Sequence, residues 1–87
     1  MSIQNINADT LILTPEQSRA ARALLGWSQQ KLAEEAKVAK QTLADFERGA
    51  RTPYDRTLRD LRAAIEGAGV LIIAAEGGLG VGARLIR

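Results

Sequence analysis

Between Ser28 and Gly49, two short stretches with helical apolar spacing stand only three or four residues apart, and this constrains the fold of the 87-residue chain more than any other feature. The first opens on Trp27-Ser28-Gln29-Gln30, with Ser28 as its natural N-cap, and offers Leu32, Ala33 and Ala36 as a buried stripe. The second carries Leu43 and Phe46 on its inner face, while Gln41, Ala44, Asp45 and Arg48 share the outer one. The join, Ala36-Lys37-Val38-Ala39, contains none of the residues that ordinarily turn a chain: no Gly, Pro, Ser, Thr, Asn or Asp. Contacts among Leu32, Val38, Leu43 and Phe46 therefore have to hold the turn shut.

The flanks are better punctuated. Thr14-Pro15-Glu16-Gln17 has a capping threonine, a proline suited to the first helical position and a glutamine three residues after the cap. This predicts a helix to about Leu25, with Ala21, Leu24 and Leu25 at helical spacing and Gly26 ending it in the left-handed region. Gly49 should end the third helix in the same way. After the loop Ala50-Arg51-Thr52-Pro53, a fourth helix from about Asp55 to Ala68 buries Leu58, Leu61, Ile65 and Ala68, with Arg56, Arg59 and Arg62 as surface charges. Val70-Leu71-Ile72-Ile73-Ala74-Ala75, the glycine-rich Glu76 to Gly80, and Val81 to Ile86 read as a β-hairpin. Its first strand is apolar on both faces, so one face packs on the helices and the other needs cover. Val70, Leu71, Ile72 and Ile73 are accordingly the expected contacts with a second copy, making a homodimer.

The expected fold class is mainly α: four helices followed by a C-terminal β-hairpin or β-strand for dimerisation. Residues 1–13 form an N-terminal extension, in which Leu11-Ile12-Leu13 lies extended, residues 14–69 the helical domain, and 70–87 the β-segment. A chain this short buries only about 60% of its unfolded surface, so an oligomer would add welcome burial. With aromatics at 3%, the core has to be built from Leu, Ile, Val and Ala.

Several function classes fall away. Cys and His are both absent, which removes disulfides, the usual zinc sites and the commonest general base. The carboxylates do not cluster, so no nucleophile and base stand in register, and neither an enzyme nor a cofactor is expected. The N-terminal residues carry no targeting pattern, and Val70 to Ala75 is too short to cross a bilayer, so the expected location is the cytoplasm, with no membrane partner. Net charge is only +2, but seven basic residues against four acidic ones lie between Lys37 and Arg62, a local surplus suited to nucleic acid.

Two tightly joined helices with a polar face on the second make the geometry of a helix-turn-helix, whose second helix enters the DNA major groove. Leu25-Gly26-Trp27-Ser28-Gln29-Gln30-Lys31-Leu32-Ala33, then Val38, Thr42-Leu43 and Asp45-Phe46-Glu47-Arg48-Gly49, closely resemble the phage-repressor and Cro-like helix-turn-helix family. The resemblance implies a four-helix repressor-like domain that binds double-stranded DNA. It places Lys40, Gln41, Thr42 and Asp45 where base edges are read, and Gln29 where a backbone phosphate is held. Lys can donate to guanine O6/N7, Gln can pair with adenine N6/N7, and Asp can accept from cytosine N4. Arg48 and Arg51, just beyond the recognition helix, look like phosphate clamps. Asp45 has a second reading, as a partner for Arg48 or Gln41 that excludes wrong sites. Arg22 and Glu47 match a structural ion pair of some family members, and Trp27 reads as a packing residue.

Two departures from the family pattern fall at the join. Lys37 stands where glycine is usual, and Ala39 where a capping Ser or Thr is common. The expectation is that Lys37 still takes positive φ, as either a strained position or an added phosphate contact. The functional expectation is a sequence-specific transcriptional regulator, a repressor on a partly palindromic operator. The rival is a protein-interaction module, an antitoxin or adaptor, whose C-terminal strand engages another protein.

Overall fold

The computed structural model describes residues 12–86, so most of the N-terminal extension, and Arg87, lie outside the described residues. In chain order the elements are α1 (Pro15–Leu25), α2 (Gln29–Ala36), α3 (Lys40–Glu47), α4 (Asp55–Gly67), β1 (Val70–Ile73) and β2 (Gly82–Leu85). Helix α1 begins on a complete capping box: Thr14 Oγ1 accepts from the Gln17 amide at 3.1 Å, and Gln17 Oε1 accepts from the Thr14 amide at 2.9 Å. It ends at Gly26, φ +71°, where the Trp27 amide returns to the Arg22 carbonyl at 2.9 Å. Helix α2 is capped by Ser28, whose Oγ accepts from the Lys31 amide at 3.0 Å.

The join between α2 and α3 has the expected shape. Lys37 sits at φ +61°, ψ +43°, and is the one non-glycine residue with positive φ among the described residues. The Val38 amide reaches back to the Ala33 carbonyl at 3.0 Å, which repeats at Lys37 the closure that Gly26 makes after α1. Ala39 starts α3 without a side-chain cap. Leu32 and Leu43 are fully buried, Phe46 nearly so, and Val38 packs against them, so side-chain packing encloses the turn.

Leu13, Ala21, Leu32, Leu43, Leu58, Leu61, Ile65 and Val70 join in one core, each large side chain contributing about 1.5–3 kcal/mol on burial. Leu13 thus finds its apolar surface within the chain itself. In α1 the buried face differs from the expected one: Gln17, Ser18 and Ala21 are buried, Leu25 is half-buried and Leu24 is exposed. The polar pair is tolerated inside because both side chains are hydrogen-bonded. Arg62 differs too. It is half-buried and donates from Nη1 to the Ile12 carbonyl at 2.9 Å, holding the segment before α1 against α4.

The two strands are antiparallel, pairing Val70 with Leu85, Leu71 with Arg84, Ile72 with Ala83 and Ile73 with Gly82. Beyond them a tight turn with Gly77 and Gly78 both at positive φ closes a bridge between Glu76 and Leu79, as a two-residue hairpin loop requires. Gln17 Nε2 fastens the sheet to α1, donating to the Ile73 carbonyl at 2.8 Å and the Gly82 carbonyl at 3.2 Å.

This docking divides the four residues expected to meet a second copy. Val70 and Ile72 face inward, 1% and 7% exposed, and are consumed by the chain's own core, so their side chains have no surface left to offer. Leu71, 44% exposed, and the half-buried Ile73 alternate with them on the outer face.

Candidate nucleic-acid interface

Helix α3 is anchored by what lies beneath it. Leu43, Phe46 and Glu47 are buried, which turns Lys40, Gln41, Ala44, Asp45 and Arg48 to the outside. Lys40, Gln41 and Arg48 are exposed, whereas Ala44 and Asp45 are half-buried by their neighbours. Thr42 lies at the flank of this face. It is half-buried, lining a groove with Arg51, Thr52, Tyr54 and Thr57. Lys37 and Arg51 are exposed at opposite ends of the helix.

The underside is organised by one carboxylate. Glu47, 2% exposed, accepts from Arg22 through Nε at 3.1 and 3.0 Å and through Nη2 at 2.8 Å. It also accepts from Ser18 Oγ at 2.5 Å and Gln29 Nε2 at 3.1 Å. Arg22 continues to the Trp27 carbonyl at 3.2 Å, and Arg19 donates to the Glu47 backbone carbonyl. Burial by itself pushes the Glu47 carboxyl up. The hydrogen bonds from Arg22, Ser18 and Gln29, with the Arg22 charge, outweigh it and hold the group below the usual carboxylate range. The recognition helix is thereby tied to α1 and to the start of α2, which fixes its tilt.

The expected Arg22–Glu47 pair is therefore part of a wider network. Ser18, Arg19 and Gln29 also belong to it. Only Gln29 carried a functional expectation, and its amide is partly committed: one N–H goes to Glu47, leaving the other beside the α2 N-terminus. On the outer face Asp45 Oδ1 accepts from Gln41 Nε2 at 2.9 Å and from Arg48 Nε and Nη2 at 3.3 and 3.0 Å. These hydrogen bonds, Gln41's first and Arg48's second, keep the Asp45 carboxyl below its usual range against a smaller opposing effect of burial. Arg48 retains three further N–H donors, and its side chain is 68% exposed. Among the described residues, no His/Cys/Asp/Glu cluster could hold a metal ion, and no helix is long and apolar enough to cross a membrane.

A short helix braced from beneath and polar on its outer face, set after a tight turn, defines a helix-turn-helix DNA-binding domain. Residues 19–66, more than half of the chain, match the helix-turn-helix family model, and the chain belongs to the Cro-like helix-turn-helix family of DNA-binding regulators. No curated protein matches it significantly.

Proposed function

We propose that this protein is a sequence-specific transcriptional repressor of the cytoplasm that binds a partly palindromic operator as a homodimer. The observation that carries the reading is the outer face of α3, where Lys40, Gln41 and Asp45 stand clear of the core on a helix braced by Glu47. In this reading Lys40, Gln41, Thr42 and Asp45 meet base edges in the major groove, while Gln29, Lys37, Arg48 and Arg51 meet phosphates. Gln29 would use its remaining N–H, and Arg48 the donors that Asp45 leaves free. A two-fold axis would set two recognition helices about one helical turn apart, matching a palindromic site. Leu71 and Ile73 are the dimer contacts, with Leu79 and Ile86, 77% and 56% exposed, extending the apolar surface.

In vitro selection of bound duplexes followed by footprinting tests this directly. An enriched palindrome protected over two half-sites is the expected result, and a pool with no enrichment would sink the reading. The same apolar surface also supports a second reading, in which another protein covers the hairpin of an antitoxin or adaptor. Sedimentation of the free protein separates them: a dimer favours the repressor, and a monomer with weak DNA affinity indifferent to Lys40→Ala and Gln41→Ala favours the module.

A further inference from the structure

The polar side chains on the outer face of α3 engage one another. Gln41, Asp45 and Arg48 form a chain of hydrogen bonds in which the central group, Asp45, is a carboxylate. A carboxylate only accepts, so the Gln41 atom turned toward it has to be the amide nitrogen. A lone exposed glutamine amide has no such constraint and presents its oxygen or its nitrogen with similar ease. Here Arg48 donates to the same Asp45 Oδ1 and so fixes the acceptor, leaving Oε1 and the second Nε2 hydrogen of Gln41 for a ligand. One acceptor beside one donor complements the major-groove edge of adenine, which offers the N6 donor and the N7 acceptor. Guanine offers two acceptors, O6 and N7, and leaves Gln41 Oε1 facing another oxygen.

The geometry points to Asp45 as a positioning residue that locks the Gln41 amide in the orientation reading adenine against guanine, a role that rests on the DNA-binding function proposed above. Asp45 need not touch a base for this. Its charge toward the phosphates is offset by Arg48 and Arg51.

The test uses Asp45→Ala, which removes the acceptor shared by Gln41 and Arg48 and lets the Gln41 amide turn either way. The base pair read by Gln41 is located first, as the position whose preference disappears in selections with Gln41→Ala. At that pair the unaltered protein should prefer adenine over guanine by roughly ten-fold or more. Asp45→Ala should cut that ratio by most of its value while preferences at other positions stay. A merely structural role would weaken binding uniformly. An unchanged ratio in Asp45→Ala, or a Gln41-dependent preference for a base other than adenine, overturns the lock while leaving DNA binding intact. Failure of every protein to select any duplex overturns the underlying reading instead. A second arm needs no DNA: in NMR spectra of the free protein, the Gln41 amide hydrogen bonded to Asp45 should be shifted from its position in a free glutamine and return toward that position in Asp45→Ala. Gln41 signals insensitive to that substitution would also overturn the lock.

Discussion

Lys37 carries at its backbone a conformation that an L side chain enters at a cost of about 1–2 kcal/mol, and it does so with no glycine nearby to share the turn. Lys37→Gly removes that strain but gives the unfolded chain more freedom, worth about 0.5–1 kcal/mol. The expected net gain is therefore up to about 1.5 kcal/mol, visible as a higher urea midpoint. A lower midpoint would mean that the lysine side chain itself supports the turn. Ala39→Ser supplies the missing cap of α3 and should add about 0.5–1 kcal/mol in the same assay. Glu47 makes a pH prediction. Its folded carboxyl titrates below the unfolded one, so in that window the unfolded chain binds more protons and stability rises with pH. The Glu47 contribution is complete above the unfolded value of about 4.3 and is lost as pH falls through the folded value. Urea midpoints measured across acid pH should show that loss, and Glu47→Gln should flatten it.

Among the elements, α3 depends on α1 through Arg22 and Glu47, and the sheet depends on α1 through Gln17. Glu47 is dry while Arg22 keeps 21% of its surface in water, so Arg22→Ala should cost about 3 kcal/mol, the low end for a broken buried pair. Gln17→Met keeps the size but leaves the Ile73 and Gly82 carbonyls without their donor, an expected loss of about 1–3 kcal/mol. Hydrogen exchange should then rise in β1 and β2 before it rises in α2 and α3, and uniform loss of protection would show that Gln17 only caps α1. These two contacts also mark how far the sequence could be read. Thr14, Gly26, Ser28 and Gly49 act on neighbours within a few residues, and so α1 to α3 were legible from local spacing alone. The Gln17 and Ser18 contacts bridge 56 and 29 residues, and nothing in local spacing reveals a polar residue whose partner lies that far along the chain. The outer face of α3 was legible as a set of residues, whereas its internal bonding requires the helix geometry to be seen.

For the whole molecule, the sheet has spent its inner face on the chain's own core and keeps an apolar outer one. Leu71→Glu places a charge on that outer face opposite Arg84 without entering the core, so the fold should survive while the proposed homodimer dissociates. Sedimentation equilibrium at micromolar concentration checks this, and a variant still dimeric would move the interface away from β1. In the proposed dimer, operator affinity should fall with dissociation, because each protomer alone would read one half-site. The salt dependence per protomer should change little, since the proposed phosphate contacts lie on the helices and not on the sheet.

Trp27 is the only tryptophan in the chain, half-buried, with its carbonyl held by Arg22 and the Lys31 ammonium 5.7 Å from its ring centroid. Its indole is therefore a natural chromophore placed where α1 hands over to α2, one bond away from the Glu47 network. Emission and quenching of this single fluorophore report on that seam without any label, in the free protein and on titration with duplex alike.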